Sequence, residues 1–191
     1  MKIRDSGMPQ EEVWESFFDP LKTLQQLGLT NKCSDLVEFG CGFGTFTIPA
    51  AQIISGCVYT FDIEPEMIAA TKARVIETKL SNVVFAERDF VDKGTGLADG
   101  LCDYALLLNL LHGENPVVLL AEAYRNLRSG GLVGVMHWNY DASTPRGPQM
   151  HMRSKPEQIM NWSKEAGFVL GSDGVIDFPP YHYGMVLLKP I

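Results

Sequence analysis

Short apolar segments alternate with longer segments of helical periodicity along most of the chain. The apolar segments predict strands at 36–39, 58–61, 83–86, 104–108, 132–138, 168–176 and 182–188. The segments between them predict helices at 45–54, 65–78, 116–127 and 156–166. Strands that alternate with helices in this way indicate a parallel sheet with helices on both faces, and the last two strands predict a closing hairpin.

Two further helices are predicted before the first strand, within residues 1–30. Pro9 and Pro20 stand where a helix begins, and apolar stripes follow them until Gly28. The aromatic side chains of this segment are expected to pack on the core or to form a lid. The expected fold class is therefore α/β, a doubly wound seven-stranded sheet that is mostly parallel, with one antiparallel strand in a C-terminal hairpin and helices at the N-terminus. No linker divides the chain, so residues 1–191 are expected to form a single domain.

Composition and charge narrow the classes of function. Hydrophobic residues make up 46% of the 191 positions and charged residues 20%, which is typical of a globular domain. The net charge is −7 and there is no basic stripe, so a small-molecule partner is expected and no nucleic acid. No apolar run is long enough to span a membrane and the first residues lack a signal-peptide core, so a cytoplasmic location is expected. The oligomeric state stays open.

The spacing of cysteine and histidine residues gives no metal motif. There is no CxxC, and no two of the four histidines lie three or four positions apart. We therefore predict no metal site and expect the cysteines to be buried as small apolar residues. The alternative is a thiol cluster for a soft metal or metalloid, formed by Cys33, Cys41, Cys57 and Cys102.

The first strand runs directly into a glycine-rich turn, residues 38–44, with the sequence EFGCGFG. Glycine at every second position removes side chains from the turn and permits backbone conformations that other residues avoid. A ligand could then approach backbone N–H groups at a helix N-terminus. The segment predicts a nucleotide-like cofactor.

Polar residues stand at the ends of the next strands. Asp62 ends the second strand, Asp89 with Phe90 follows the third, and Asn109 ends the fourth. Since the carboxyl ends of parallel strands meet at one edge of a sheet, we expect these residues to line a common site. An acidic residue after the second strand is suited to the hydroxyl groups of a ribose.

Together these segments resemble the class I methyltransferases that use S-adenosylmethionine. The resemblance rests on residues 37–44, 62, 89–90, 102–108 and 127–132, and covers roughly residues 30–138 with the terminal hairpin. The most similar branch contains the ubiquinone- and menaquinone-biosynthesis methyltransferases. The resemblance implies a Rossmann-like fold, S-adenosylmethionine as the cofactor, and transfer of a methyl group to a small-molecule acceptor.

The resemblance also implies which residues bind the methionine and ribose parts of the cofactor. Glu38 would lie next to the methionine ammonium group. Gly40, Gly42 and Gly44 would let the turn approach the methionine and ribose. Asn109 would border the amino-acid end, through its backbone.

A second set of residues is implied for the nucleoside. Asp62 would bind the ribose hydroxyls, and Ile63 and Met67 would pack on the adenine. Asp89 would accept a hydrogen bond from the adenine amine, with Phe90 beside it.

Two other interpretations stay open at the level of sequence. A nicotinamide or flavin dinucleotide site has the fingerprint G-x-G-x-x-G, whereas this turn has G-x-G-x-G followed by Thr45. Glu38 before the first glycine would also repel a pyrophosphate, so an NAD(P)-binding protein is less favoured. The other alternative is a module that binds S-adenosylmethionine without catalysis.

The methyl acceptor is expected above the fourth and fifth strands, beneath the N-terminal lid and the irregular substrate-side loop 139–155. His112 and His137 stand near the ends of these strands and could take a proton at neutral pH. Arg146 lies in a frame of proline and glycine and could bind an anionic group in a bidentate manner. These three are the candidate catalytic residues. Each could instead be structural, for example through an ion pair between Arg146 and Asp141.

Overall fold

The computed structural model describes residues 11–144 and 147–191. The helices are α1 (Glu11–Glu15), α2 (Pro20–Gln26), α3 (Thr47–Ile53), α4 (Pro65–Glu77), α5 (Phe90–Lys93), α6 (Pro116–Asn126) and α7 (Pro156–Glu165), with a 3₁₀ helix at Met150–Met152. The strands are β1 (Leu36–Phe39), β2 (Val58–Asp62), β3 (Val83–Glu87), β4 (Cys102–Leu108), β5 (Leu127–Trp138), β6 (Val169–Leu170), β7 (Ile176–Phe178) and β8 (His182–Leu188).

The strands form one sheet in the order β3-β2-β1-β4-β5-β8-β6, and β7 also pairs with β8. Neighbouring strands from β1 to β5 are parallel, and β8 is antiparallel to β5, β6 and β7. The strand order reverses between β1 and β4, which is where doubly wound sheets open a crevice at their carboxyl edge. The predicted fold class, with its single antiparallel strand, is confirmed.

The structure differs from the sequence prediction in three elements. The predicted strand 168–176 divides into β6 and β7, because the chain turns at Gly174, whose φ of +65° favours glycine. Strand β5 begins at Leu127, before the predicted start, because Leu127 pairs with Cys102 ahead of a shift in register. Helix α5 was not predicted; Asp89 caps it by accepting a hydrogen bond from the N–H of Asp92 at 3.3 Å.

Two hydrophobic clusters cover the two faces of the sheet. One joins β-strand residues such as Val37, Leu107 and Val135 to apolar residues of α6 and α7. The other joins the alternate strand positions, such as Leu36 and Leu106, to α2 and α3. Because successive strand residues point to opposite faces, each buried strand supplies both clusters. Within the described residues, no helix is long and apolar enough to cross a membrane.

Ion pairs and hydrogen bonds tie the strands together at the amino edge of the sheet. Asp103 accepts hydrogen bonds from the N–H groups of Ser34 and Asp35 at 2.8 and 3.0 Å. Arg128 pairs with Asp103 at 2.6 Å and with Asp35 at 3.4 Å. The polar side chains at this edge therefore find their partners inside the protein.

Removing the hydroxyl group of Tyr104 is expected to destabilise the fold. Tyr104 lies in the centre of β4, is fully buried, and donates a hydrogen bond to the carbonyl oxygen of Leu27 at 2.6 Å. Tyr104→Phe leaves that carbonyl buried without a partner, at an expected cost of about 1–3 kcal/mol in the free energy of unfolding. Urea denaturation measures this cost. The matched control is Tyr140→Phe, at an exposed position, and equal losses in the two variants would contradict the assignment.

Candidate active site

The glycine turn between β1 and α3 has a backbone that other residues adopt only with strain. Gly40, Gly42 and Gly44 have φ angles of +78°, +52° and +81°. A Cβ atom at Gly44 would lie 2.9 Å from Cγ2 of Thr71 on α4. Thr71 also donates a hydrogen bond to the carbonyl oxygen of Gly42 at 2.8 Å. The alternating glycines therefore let the turn pack closely against α4.

Several N–H groups of the turn already have partners. The N–H groups of Gly40 and Cys41 both donate to the carbonyl oxygen of Phe61, at 2.9 and 3.0 Å, and Gly44 donates to Cys41 at 2.9 Å. The sequence predicted backbone donors open to a ligand, and at these three positions that expectation is wrong. The missing side chains therefore leave space for a ligand, but these three N–H groups are not available to it.

Asp62 at the end of β2 fixes the turn from the other side. Its Oδ2 accepts a hydrogen bond from the N–H of Gly42 at 3.0 Å, and its Oδ1 accepts one from Glu64 at 3.1 Å. A carboxylate offers about four acceptor positions, so capacity remains for ligand hydroxyl groups. The side chain thus shapes the turn and still presents acceptor atoms beside it.

Glu38 is a buried carboxyl group at the start of the turn. It is 3% exposed, and its Oε2 accepts hydrogen bonds from the hydroxyls of Thr47 and Thr60 at 2.6 and 2.7 Å. Burial raises the pKa of Glu38 to about 7, although these two hydrogen bonds act to lower it. Among the described residues, no lysine or arginine forms an ion pair with Glu38. A ligand cation at this point would favour the charged carboxylate.

The predicted adenine-binding residues follow β2 and β3. Ile63 and Met67 are half-buried at the start of α4, after Asp62. Asp89 is half-buried as the N-cap of α5. Phe90 is instead buried in the core, where its ring lies 5.5 Å from that of Phe39. The four residues therefore surround the same end of the sheet, with Phe90 beneath its surface.

Asn109 ends β4 in an unusual conformation. Its φ is +58°, in the left-handed region, and its N–H donates to the carbonyl oxygen of Met136 at 2.8 Å. Both the oxygen and the nitrogen of its side-chain amide are buried without a hydrogen-bond partner. Strained backbone and unpaired polar atoms together are typical of a ligand site.

The buried side-chain atoms that lack a partner in the described structure lie near this carboxyl edge. A native fold rarely leaves such atoms unpaired, because each costs free energy. They are Thr45 Oγ1, Asn109 Nδ2 and Oδ1, His112 Nδ1, His137 Nε2, and both ring nitrogens of His182. Their position indicates where a ligand would complete the hydrogen bonding.

His112, in the turn after β4, and His137, near the end of β5, lie against each other. Their ring centroids are 5.6 Å apart. His137 is fully buried, and its Nδ1 lies 3.4 Å from the carbonyl oxygen of Trp138, which favours the tautomer with a proton on Nδ1. Burial lowers the pKa of His112 to about 4 and that of His137 to about 3, so both rings are neutral at pH 7.

Trp138 and His182 lie on the opposite face from His137, as strand alternation predicts. Trp138 on β5 and His182 on β8 are partners in the strand register, and their ring centroids are 4.2 Å apart. Phe17, which follows α1, contacts Trp138 at 5.8 Å, and Phe18 contacts His182 at 4.8 Å. The N-terminal aromatic residues therefore cover the ends of β5 and β8, as a lid would.

Arg146 lies outside the described residues, and the buried arginine of the substrate-side loop is Arg153. Arg153 is 6% exposed, and its guanidinium donates to the carbonyl oxygens of Asn139, Asp141 and Pro148 at 2.7–3.1 Å, and to the hydroxyl of Thr144. Its partners are mostly backbone carbonyls, which no sequence motif reveals. Only its place in a loop with few other cations could have drawn attention to it.

Arg74 links α1 to the glycine turn. It pairs with Glu11 and Glu15 at 3.2 and 2.5 Å, and donates to the carbonyl oxygen of Phe43 at 3.1 Å. The first described helix is therefore held directly over the turn.

The cysteines do not form one group. Cys41 lies in the turn, whereas Cys57 and Cys102 stand at the amino ends of β2 and β4. In the part of the chain that the structure describes, no three His, Cys, Asp or Glu side chains are arranged to hold a metal ion.

Comparison with known families identifies the class of this fold and site. The family described as "Methyltransferase domain" matches residues 36–131, about half of the chain, and includes the glycine turn and the ends of β1 to β4. The chain belongs to the class I S-adenosylmethionine-dependent methyltransferases, and S-adenosylmethionine is their cofactor. The family and cofactor expected from the sequence are confirmed. The buried carboxyl groups, the glycine turn and the unpaired Asn109 amide are chemically suited to this cationic, ribose-containing compound.

Individual proteins are similar over different lengths. Ribosomal protein L11 methyltransferase from Methylococcus capsulatus is 36% identical over 113 residues, which cover 57% of this chain and 36% of that protein. The chain thus spans about a third of that relative's length.

Solved structures share the fold at low sequence identity. A SAM dependent methyltransferase from Aquifex aeolicus superposes with a TM-score of 0.82, at 20% identity over 96% of both chains. The [4+2]-cyclase SpnF superposes with a TM-score of 0.77, at 16% identity over 98% of this chain and 84% of SpnF. These similarities show the fold alone.

Glu38 is expected to make the stability of the cofactor-free protein depend on pH. The folded protein retains the Glu38 proton up to about pH 7, whereas the unfolded chain releases it near the ordinary value of 4.5. Folding therefore becomes less favourable as pH rises through this window, by on the order of 3 kcal/mol. Glu38→Gln removes this contribution and leaves the histidines unchanged. Urea denaturation between pH 4.5 and 8 should show the variant gaining stability relative to the native protein, and a constant difference would contradict the assignment.

Proposed function

We propose that this protein transfers a methyl group from S-adenosylmethionine to a small-molecule acceptor. The observation that carries the proposal is the pair of buried carboxyl groups, Glu38 and Asp62, on either side of the glycine turn. No described lysine or arginine forms an ion pair with either of them, so both are available to a positively charged ligand that carries hydroxyl groups. The cofactor supplies a methyl group activated by a positively charged sulfur.

The side chains around the turn have distinct roles in this proposal. Asp62 accepts hydrogen bonds from the ribose hydroxyls while it keeps its bonds to the turn. Glu38 holds the ammonium group through its buried carboxylate, and Gly40, Gly42 and Gly44 leave room for the chain between them. Asn109 borders the amino-acid end.

The adenine lies beyond the end of β2 in the same proposal. Ile63 and Met67 form its apolar contact. Asp89 accepts a hydrogen bond from its exocyclic amine, and Phe90 supports this wall from the core. These assignments follow the order of the strands across the sheet.

The burial of the acceptor-side residues supports a small-molecule acceptor. His137 is fully buried on one face of β5, and Trp138, 4% exposed on the other face, is covered by Phe17. Methyl transfer needs a nucleophile held in line with the methyl group and little water, and a covered position provides both. His112 and His137 are the acceptor-side residues, and Arg146 stays a candidate from the sequence. A cytoplasmic location, expected from the sequence, is part of the proposal.

A protein acceptor is the second candidate. The name of the Methylococcus capsulatus relative, ribosomal protein L11 methyltransferase, favours it. That relative is about three times as long as the matched part, so regions absent from the match could select its acceptor. The name of SpnF, a [4+2]-cyclase, means that the fold alone does not establish methyl transfer.

Replacing Asp62 tests the cofactor site. Asp62→Ala should weaken the binding of S-adenosylhomocysteine by on the order of 1–3 kcal/mol, because the ribose hydroxyls lose a charged acceptor. Isothermal titration calorimetry measures the change. Asp177→Ala, at an exposed position on β7, is the matched control and should bind as the native protein does. Unchanged affinity in Asp62→Ala would reject this role, and no binding to the native protein would reject the cofactor assignment.

The class of acceptor is tested with S-adenosylmethionine labelled in the methyl group. The protein is incubated with a small-molecule extract and, separately, with a ribosomal protein fraction. The proposal predicts enzyme-dependent label in the small-molecule extract. Label in the protein fraction alone would establish the second candidate, and label in neither fraction would contradict methyl transfer to both classes.

A further inference from the structure

The two facing histidines at the ends of β4 and β5 each leave one ring nitrogen without a partner. These atoms are Nδ1 of His112 and Nε2 of His137. The proton favoured on Nδ1 of His137 leaves its Nε2 as a bare hydrogen-bond acceptor. The acceptor Nε2 of His137 and the unpaired Nδ1 of His112 therefore belong to two rings whose centroids are 5.6 Å apart.

Two hydroxyl groups in the wall behind this histidine pair are already satisfied. The hydroxyl of Tyr183, which pairs with His137 in register, donates to the carbonyl oxygen of Ser154 at 2.6 Å. The hydroxyl of Ser154 donates to the carbonyl oxygen of Leu111 at 2.5 Å. These bonds fix the wall behind the pair, and the wall offers no further donor to Nε2 of His137.

The charges that act on the two rings of the pair are positive. Arg153 is buried in the adjoining loop, and its charge helps to lower the pKa of both His137 and His182, after the larger effect of burial. No carboxylate contributes to the pKa of His112 or His137. An ammonium group bound here would add a second buried cation near Arg153, and the two neutral imidazole rings could not offset its charge, which is unfavourable.

The Asn109 amide lies next to the pair in the sheet. The hydrogen bond from its N–H to Met136, the residue before His137, fixes it beside β5. Its side-chain amide has a donor and an acceptor, and both are unpaired. The strand ends thus present a neutral set of hydrogen-bonding groups.

We propose that Asn109, His112 and His137 form an acceptor subsite that binds an uncharged hydroxyl group and disfavours an ammonium group. Nε2 of His137 accepts the hydrogen bond of that hydroxyl, and its oxygen faces the donors of the other two residues. The inference rests on the proposed methyl transfer, because it assigns the class of acceptor to the same site.

The test compares two probes of the same shape and different charge. Benzyl alcohol and benzylamine, which is cationic at pH 7.5, are titrated into protein saturated with S-adenosylhomocysteine. Histidine ¹⁵N NMR follows the ring nitrogens. The alcohol should bind roughly tenfold more tightly than the amine, about the effect of one good hydrogen bond, and should shift the Nε2 resonance of His137. Equal or tighter binding of the amine, binding that leaves His137 unshifted, or binding of neither probe would overturn the proposal.

Two substitutions of His137 separate the subsite from a structural role. A glutamine amide reaches about as far as Nε2, whereas an asparagine amide reaches only the position of Nδ1. His137→Gln should keep the affinity for benzyl alcohol within about threefold, and His137→Asn should lose roughly tenfold. The reverse order would show that the bond from Nδ1 to Trp138 is what matters and would overturn the proposal. His151→Gln, at an exposed position, controls for the loss of a histidine.

The failure of the subsite can be told apart from the failure of the proposed function. Calorimetry with S-adenosylhomocysteine tests the cofactor site in every variant, and each should bind it as the native protein does. The ¹⁵N spectrum of the ligand-free protein tests the tautomer of His137 without any cofactor. A proton on Nε2 would overturn the subsite even if the cofactor binds.

Discussion

The carboxylate of Asp62 holds the end of β2 against the glycine turn, and the arrangement of the site depends on this interaction. One oxygen binds the N–H of Gly42 and the other binds that of Glu64, so the turn and the start of α4 have a common anchor. The alternating glycines make the approach possible, because a side chain at Gly44 would collide with Thr71. The buried Glu38 is then fixed behind the turn by two threonine hydroxyls.

A second property of the site is the contrast between satisfied and unsatisfied polar groups. The hydroxyl groups of Tyr183 and Ser154 are hydrogen-bonded, whereas the histidine nitrogens in front of them are not. Because these hydroxyl groups are bonded to backbone carbonyls, they hold the histidine rings in position and leave the ring nitrogens open to a ligand. This is how a protein prepares a binding site before the ligand arrives, since the surrounding residues need not reorganise.

The parts of the molecule that the sequence predicts are those with local signals. Strand periodicity, the glycine spacing and the acidic residue after β2 each depend on a few adjacent residues, so the sheet and the positions of Glu38 and Asp62 could be foreseen. The contact between His112 and His137 depends on how the turn after β4 packs on the end of β5, which no short motif encodes. The hydrogen bonds of Arg153 could not be foreseen because its partners are mainly backbone carbonyls, and the burial of Phe90 depends on packing against Phe39. The division of the sixth predicted strand arises at the turn around Gly174, whose φ is +65°.

The charged network of Asp35, Asp103 and Arg128 lies at the end of the sheet away from the site. The ion pairs that join the strands and the residues expected to select a ligand therefore lie at opposite ends of the sheet. Side chains at the ends of β4 and β5 are therefore free to diverge while the electrostatic framework stays intact. Changed residues at the strand ends could therefore suit a different acceptor while the ion pairs at the amino edge keep the strands joined.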